Sequence, residues 1–135
     1  MNTLAVVIDR PEHLSLNHLH LPAMEDEDVI VEVEWSGISS GTEQLIWNGR
    51  MPMFPGMGYP LVPGYEAVGR VIEVGAASKQ HTGQRVFVPG ARCFGGVKGL
   101  FGGSASRLVV PGNKVVPVDE KLGEQAVLLA LAATA

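Results

Sequence analysis

The stretch "VPGYEAVGRVIEVG", Val62 to Gly75, decides how the chain is read. A Pro-Gly pair marks a turn and delivers Tyr65 and Glu66 side by side. From Ala67 on, apolar and polar residues alternate with a period of two, which predicts a strand leaving that turn. The same period recurs outward on both sides. "TLAVVID" reads as a strand, and "LSLNHLHL" alternates Leu14 and Leu16, then Leu19 and Leu21, and stops at Pro22. In "DVIVEVEWSGIS" the side chains of Val29, Val31, Val33 and Trp35 fall on one face and those of Ile30, Glu32 and Glu34 on the other. "QRVFVPG" is a further strand, and "ASRLVVPGNKVVPVD" divides into two at Pro-Gly-Asn. Seventeen glycines and nine prolines punctuate these runs. Many short, punctuated strands predict a mainly β domain, a barrel or a sandwich.

Two segments read as helices. "GTEQLIWNG" offers Thr42 as an N-cap, Glu43 in the first turn and Gly49 as a stop. The tail from Glu124 is built of good helix formers, apolar nearly all round, and such a helix is expected to be buried. It reaches Ala135 without a polar finish, which predicts that a longer polypeptide continues the chain.

Bulk properties narrow the function. The 135 residues suit one domain, and 46% hydrophobic against 18% charged residues describe a folded chain rather than a disordered one. A net charge of −4 with scattered Lys and Arg argues against a nucleic-acid partner. No apolar run approaches the ~20 residues that span a bilayer, and "MNTLAVVIDR" lacks a basic n-region, so a cytoplasmic location is expected. The single cysteine, Cys93, makes no internal disulfide and cannot build a Cys-rich zinc lobe.

The chemistry-bearing motifs are few. There is no G-x-G-x-x-G and no phosphate loop, so the glycines read as turns and no dinucleotide site is expected within the chain. His18 and His20 share a strand face but lack further ligands in metal spacing, and His81 lies in a polar loop. Cys93 reads as a small packing residue. "SGISSGTE", Ser36 to Glu43, and the turn at Tyr65 carry hydroxyls and carboxylates. Between them runs "QLIWNGRMPMFPGMGYPL", with Trp47, Met51, Met53, Phe54, Met57 and Tyr59. Pro52, Pro55, Gly56 and Gly58 forbid a regular helix or strand there. This loop either packs onto the barrel as a lid or offers an apolar patch to a flat ligand.

These stretches together resemble the N-terminal half of the medium-chain dehydrogenase/reductase family. The resemblance covers the whole chain and is strongest over Ser36–Gly75 and Gly83–Gly90. It implies a GroES-like, partly open β-barrel with short helices over residues 1–120. It also implies that 121–135 begin an inter-domain helix leading to a Rossmann domain outside this chain. Within the family, "SGISSGTEQLIWNGRMPMFPGMGYPLVPGYEAVGRV", "FVPGARCF" and "GLFGGSASRLVVP" resemble members that use NAD to oxidise the 3-(1-hydroxyethyl) group of a chlorophyllide or bacteriochlorophyllide to acetyl. The zinc-dependent members carry Cys where "GIS" has Ser39, and Gly-His-Glu where "PGYE" has Tyr65 before Glu66. Hydroxyls are poor zinc ligands beside thiolate and imidazole, so the resemblance implies a zinc-free site.

On that reading Tyr65 hydrogen-bonds the alcohol and passes on its proton, with Ser39, Ser40 and Thr42 as a hydroxyl relay. Glu66 orients Tyr65 or acts as the base; alternatively it is a structural carboxylate paired with Arg70 or Arg92, and Tyr65 a packing residue. Trp47, Met51, Met53, Phe54, Met57, Tyr59 and Phe101 are expected to stack on the macrocycle. Arg50, Arg92, Lys98 and Arg107 are candidates for its propionate. The chain alone is expected to bind pigment without turnover, and its apolar tail makes a homodimer plausible. Two rivals remain: a zinc-free quinone or enoyl reductase-like domain, and a non-enzymatic co-chaperonin-like barrel.

Overall fold

A computed structural model describes all 135 residues. Nine strands form two sheets. The smaller sheet has the order β2-β1-β4-β7, from β1 (Asn2–Arg10), β2 (His13–His20), β4 (Leu61–Val62) and β7 (Lys98–Gly99). The larger has the order β8-β3-β5-β6-β9, from β3 (Asp28–Ser36), β5 (Ala67–Val74), β6 (Arg85–Val88), β8 (Arg107–Pro111) and β9 (Val116–Pro117). β1 ties the sheets together through a bridge between Ala5 and Ala105. Val6 N–H donates to Ser104 O at 2.9 Å, Ser106 N–H donates to Leu4 O at 2.8 Å, and Thr3 Oγ1 donates to Arg107 O at 2.8 Å. The result is a barrel closed along this seam and open elsewhere.

The main core is a cluster of 18 buried residues between the sheets, with Val29, Val31, Val71, Val86 and Leu108 fully shielded. The expected alternation of β3 survives only in part. Register shifts fall between Ile30 and Val31 and between Val33 and Trp35. Each shift turns the strand, so Val29, Ile30 and Val31 are all buried while Trp35 stands 52% exposed.

Helix α1 (Thr42–Asn48) starts and stops as expected, except that Thr42 does not cap it: Gly41 holds that position, and Gly49 ends it in the left-handed region. The tail is less regular than its composition predicts. A 3₁₀ segment runs from Glu120 to Leu128 and breaks at Gly123 (φ 55°, ψ −139°), leaving α2 only Leu129–Thr134. Ala126 packs on Val68 and Phe87, but Leu128 and Leu131 are exposed. Buried Arg85 holds the tail to the sheet, donating to Glu34 at 3.1 Å and to Gly123 O at 2.7 Å.

Candidate functional site

The turn at Pro63-Gly64 is fixed by backbone. Gly103 N–H donates to Gly64 O at 2.7 Å and Ser104 N–H donates to Pro63 O at 3.0 Å. Gly64 has φ 106°, and a Cβ there would lie 2.5 Å from Ser104 Oγ and 2.9 Å from Ser104 N, so only glycine fits. The turn sets Tyr65 half-buried and Glu66 buried at the mouth of β5. Across from it, Gly37 N–H donates to Glu66 O at 2.7 Å, joining the end of β3 to the start of β5.

The tripeptide Gly37–Ile38–Ser39 touches two buried carboxylates. Glu66 Oε2 occupies the space that a Cβ on Gly37 would fill, at 2.2 Å. Glu43 Oε2 accepts from Ser39 N–H at 3.2 Å. Glu66 Oε1 and Glu43 Oε1 each lack a hydrogen-bond partner. Burial raises the Glu43 pKa above the ordinary 4.5; the Ser39 and Glu43 N–H groups oppose this, and the Glu66 carboxylate adds to it. Glu43 was legible only as a first-turn acid. Its role at this corner could have been suspected from Ser39 four residues before it, because Ser39 Oγ accepts from the N–H groups of Gly41 and Thr42 at 3.3 and 3.4 Å. This is the reciprocal logic of a capping box displaced by one residue.

The alternative reading, in which Glu66 pairs with Arg70 or Arg92, is not what the structure shows. Arg70 reaches the opposite way, to Glu120 (Nη2 to Oε2, 3.0 Å) and Glu34, and Arg92 forms no ion pair. Ser40 is exposed and makes no side-chain hydrogen bond, Thr42 is half-buried, and Ser39 is engaged at the helix start. Tyr65 stacks edge-on against Phe101, with centroids 5.6 Å apart and planes at 84°.

The residues of the apolar loop divide. Met57 is buried in a small second core with Ile8, Ile46, Leu61 and Leu100, against which Met51 and Tyr59 pack. The Tyr59 hydroxyl donates to Ile46 O. Met53 is 80% exposed, and Phe54, Trp47 and Phe101 each show a face to solvent. Phe54 and Phe101 line one cavity, of about 260 Å³, with Arg92 and Lys98. Trp47 instead lines an apolar groove of about 380 Å³ with Leu4, Leu14, Leu16, Ile38 and Glu43. The three-way exposure of Leu14, Leu16 and Ile38 is thus one surface.

The donor chemistry of the corner can be set against what a zinc ion requires. No three His, Cys, Asp or Glu side chains converge, and the hydroxyls and paired carboxylates of the corner are not a thiolate–imidazole donor set for zinc. The strand pairing is antiparallel apart from β4 with β7. Cys93 sits in the main core, where burial raises its thiol pKa. No helix is long and apolar enough to cross a membrane.

Residues 25–120 match the model of the alcohol dehydrogenase GroES-like domain, and the chain belongs to that family. Over its whole length it is 49% identical to the 2-desacetyl-2-hydroxyethyl bacteriochlorophyllide A dehydrogenase of Cereibacter sphaeroides, covering 44% of that protein. It is 47% identical to the protein of the same name from Rhodobacter capsulatus, again over the whole chain and 43% of the relative. The chain therefore spans less than half the length of these relatives. In fold it is similar to 2R,3R-butanediol dehydrogenase from Bacillus subtilis, with a TM-score of 0.76 and 24% identity over 94% of this chain and 44% of that one.

Proposed function

We propose that this chain is the substrate-side domain of an NAD-dependent, zinc-free dehydrogenase. It would oxidise the 3-(1-hydroxyethyl) group of a chlorophyllide or bacteriochlorophyllide to acetyl in the cytoplasm. The observation that carries the reading is the contact of Tyr65 with Phe101, which also lines a cavity with Phe54. It joins a proton-handling phenol to an aromatic wall. The likeness to bacteriochlorophyllide dehydrogenases over all 135 residues supports the same conclusion.

The macrocycle is a flat π-surface, and Phe54, Phe101 and Met53 offer exposed faces for it. Met51, Met57 and Tyr59 act from beneath, by holding the loop in place. The secondary alcohol loses its O–H proton to the protein and its C–H hydride as the C=O bond forms. NAD, bound outside this chain, supplies the hydride acceptor when present. Tyr65 hydrogen-bonds the alcohol oxygen, and Glu66 orients it or accepts the proton, with the buried Glu43 carboxylate beside the same Gly37–Ser39 corner as a further acceptor. Ser39 positions Glu43 through its N–H. Residues 121–135 then lead toward the nucleotide-binding domain.

The test is an absorbance and fluorescence titration with a 3-(1-hydroxyethyl) chlorophyllide, on the chain and on the full-length protein. Saturable binding, weakened several-fold in a Met53→Ala/Phe54→Ala variant, is expected. Absence of binding by both proteins would overturn the reading.

A further inference from the structure

Two cations without an ion-pair partner, Arg92 and Lys98, face one cavity together. Arg92 and Lys98 line the cavity of about 260 Å³ with Phe54 and Phe101. Arg92 and Phe101 continue into a neighbouring cavity of about 630 Å³, which Lys114 also lines. Neither cavity has an acidic residue in its lining. The other arginines considered for an acid group are placed differently. Arg107 pairs with Glu32 at 3.5 Å, and Arg50 lines neither cavity. Arg92 and Lys98 are absent from the ion pairs, which engage Arg70, Arg85 and Arg107.

Short backbone ladders hold these groups in place. Lys98 lies in β7, where its N–H donates to Pro60 O at 3.0 Å. Ala91, beside Arg92, donates its N–H to Phe101 O at 2.7 Å. The Lys98 stem lies across Gly58, where a Cβ would meet Lys98 Cε at 2.8 Å and Cδ at 3.2 Å. Glycine at 58 leaves the stem room to lie flat.

We propose that Arg92 and Lys98 bind the carboxylate side chain of the substrate while Phe54 and Phe101 take its ring face. The inference rests on the pigment reading above and adds what fixes the macrocycle's orientation. A guanidinium fork clamps a carboxylate through two hydrogen bonds, and the ammonium adds a second charge. Because Phe101 also touches Tyr65, a ring anchored at Arg92 is presented in one orientation to the phenol. Arg92 and Lys98 are positioning residues and move no proton.

The experiment is steady-state kinetics of the full-length protein with a 3-(1-hydroxyethyl) chlorophyllide and with its propionate methyl ester. The free acid is expected to show the lower KM by roughly tenfold or more, the size of a charge-assisted contact. Arg92→Gln should remove most of that difference, raising the KM of the acid and lowering its kcat toward the values for the ester, with the KM for NAD unchanged. Arg92→Lys should restore part of it, and Lys98→Gln should have a smaller effect in the same direction. Equal KM values for acid and ester in the parent would overturn the anchor. A rise in the KM for NAD instead would assign the cations to dinucleotide phosphate and overturn it too. Oxidation of neither pigment would overturn the pigment reading and the anchor with it.

Discussion

The turn at Tyr65 and the loop from Arg50 to Pro60 flank the same aromatic wall, yet they are held by different forces. The turn is a backbone structure. The carbonyls of Pro63, Gly64 and Glu66 each accept a main-chain hydrogen bond from a neighbouring segment. The loop makes few such bonds, and its anchor is a small core of five buried side chains that includes Met57. Groups that handle a proton need fixed geometry, which backbone ladders supply. A wall for a large flat ligand needs surface, which a loop on a modest core supplies.

The contrast breaks down if both regions respond alike to loss of buried volume. Leu108→Ala, in the main core, should cost about 3–5 kcal/mol in urea unfolding, whereas Met57→Ala should cost about 2 kcal/mol. Hydrogen exchange in Met57→Ala should quicken at the loop and stay unchanged along β3 and β5. Equal losses, or exchange rising throughout, would unite the two regions. Gly37→Ala probes the corner itself, since its new Cβ meets Glu66 Oε2 at 2.2 Å and Glu66 Cβ at 3.1 Å. A loss of about 1–3 kcal/mol is expected, mostly recovered in Gly37→Ala/Glu66→Ala. No recovery would mean that the backbone, not the carboxylate, bears the clash.

Glu43→Gln gives a smaller, pH-dependent effect. Burial raises the folded-state pKa of Glu43 above 4.5, so the folded state binds its proton more tightly than the unfolded chain does. The parent should therefore lose stability as pH climbs from 4.5 through the raised value. Glutamine keeps an acceptor for Ser39 N–H and cannot ionise. The variant should match the parent in acid and exceed it at neutral pH. A constant difference across pH would dismiss ionisation of Glu43 as the cause. The smallest stability effect belongs to Met53→Ala, within about 0.5 kcal/mol because the side chain is 80% exposed, with weaker pigment binding as the separate readout.

Much of the scaffold was legible because strands declare themselves at short range. The alternation in Ala67–Val74 and Arg85–Val88, the turn at Pro63-Gly64 and the stop at Gly49 depend on residues within a few positions of each other. Trp35 was misplaced onto the face of Val29 because bulges shift register without marking the sequence. The tail promised a single helix from Glu124, but the chain is 3₁₀ up to Leu128 and only Leu129–Thr134 is α-helical. In the loop, no periodicity distinguishes Met53 from Met57. One is solvated and the other buried because Ile8, Ile46, Leu61 and Leu100 arrive from four other segments.

The sequence by itself determined a mainly β domain and the Pro-Gly turn carrying Tyr65 and Glu66. These follow from local backbone preference, which needs no distant neighbours to be known. Only the tertiary structure decided that Glu43 joins Glu66 behind Gly37–Ser39, that Glu66 has no arginine partner, and that Arg92 and Lys98 share a cavity with Phe54 and Phe101. Burial, ion pairing and shared cavities are properties of segments far apart in the chain, and they exist only once those segments are packed.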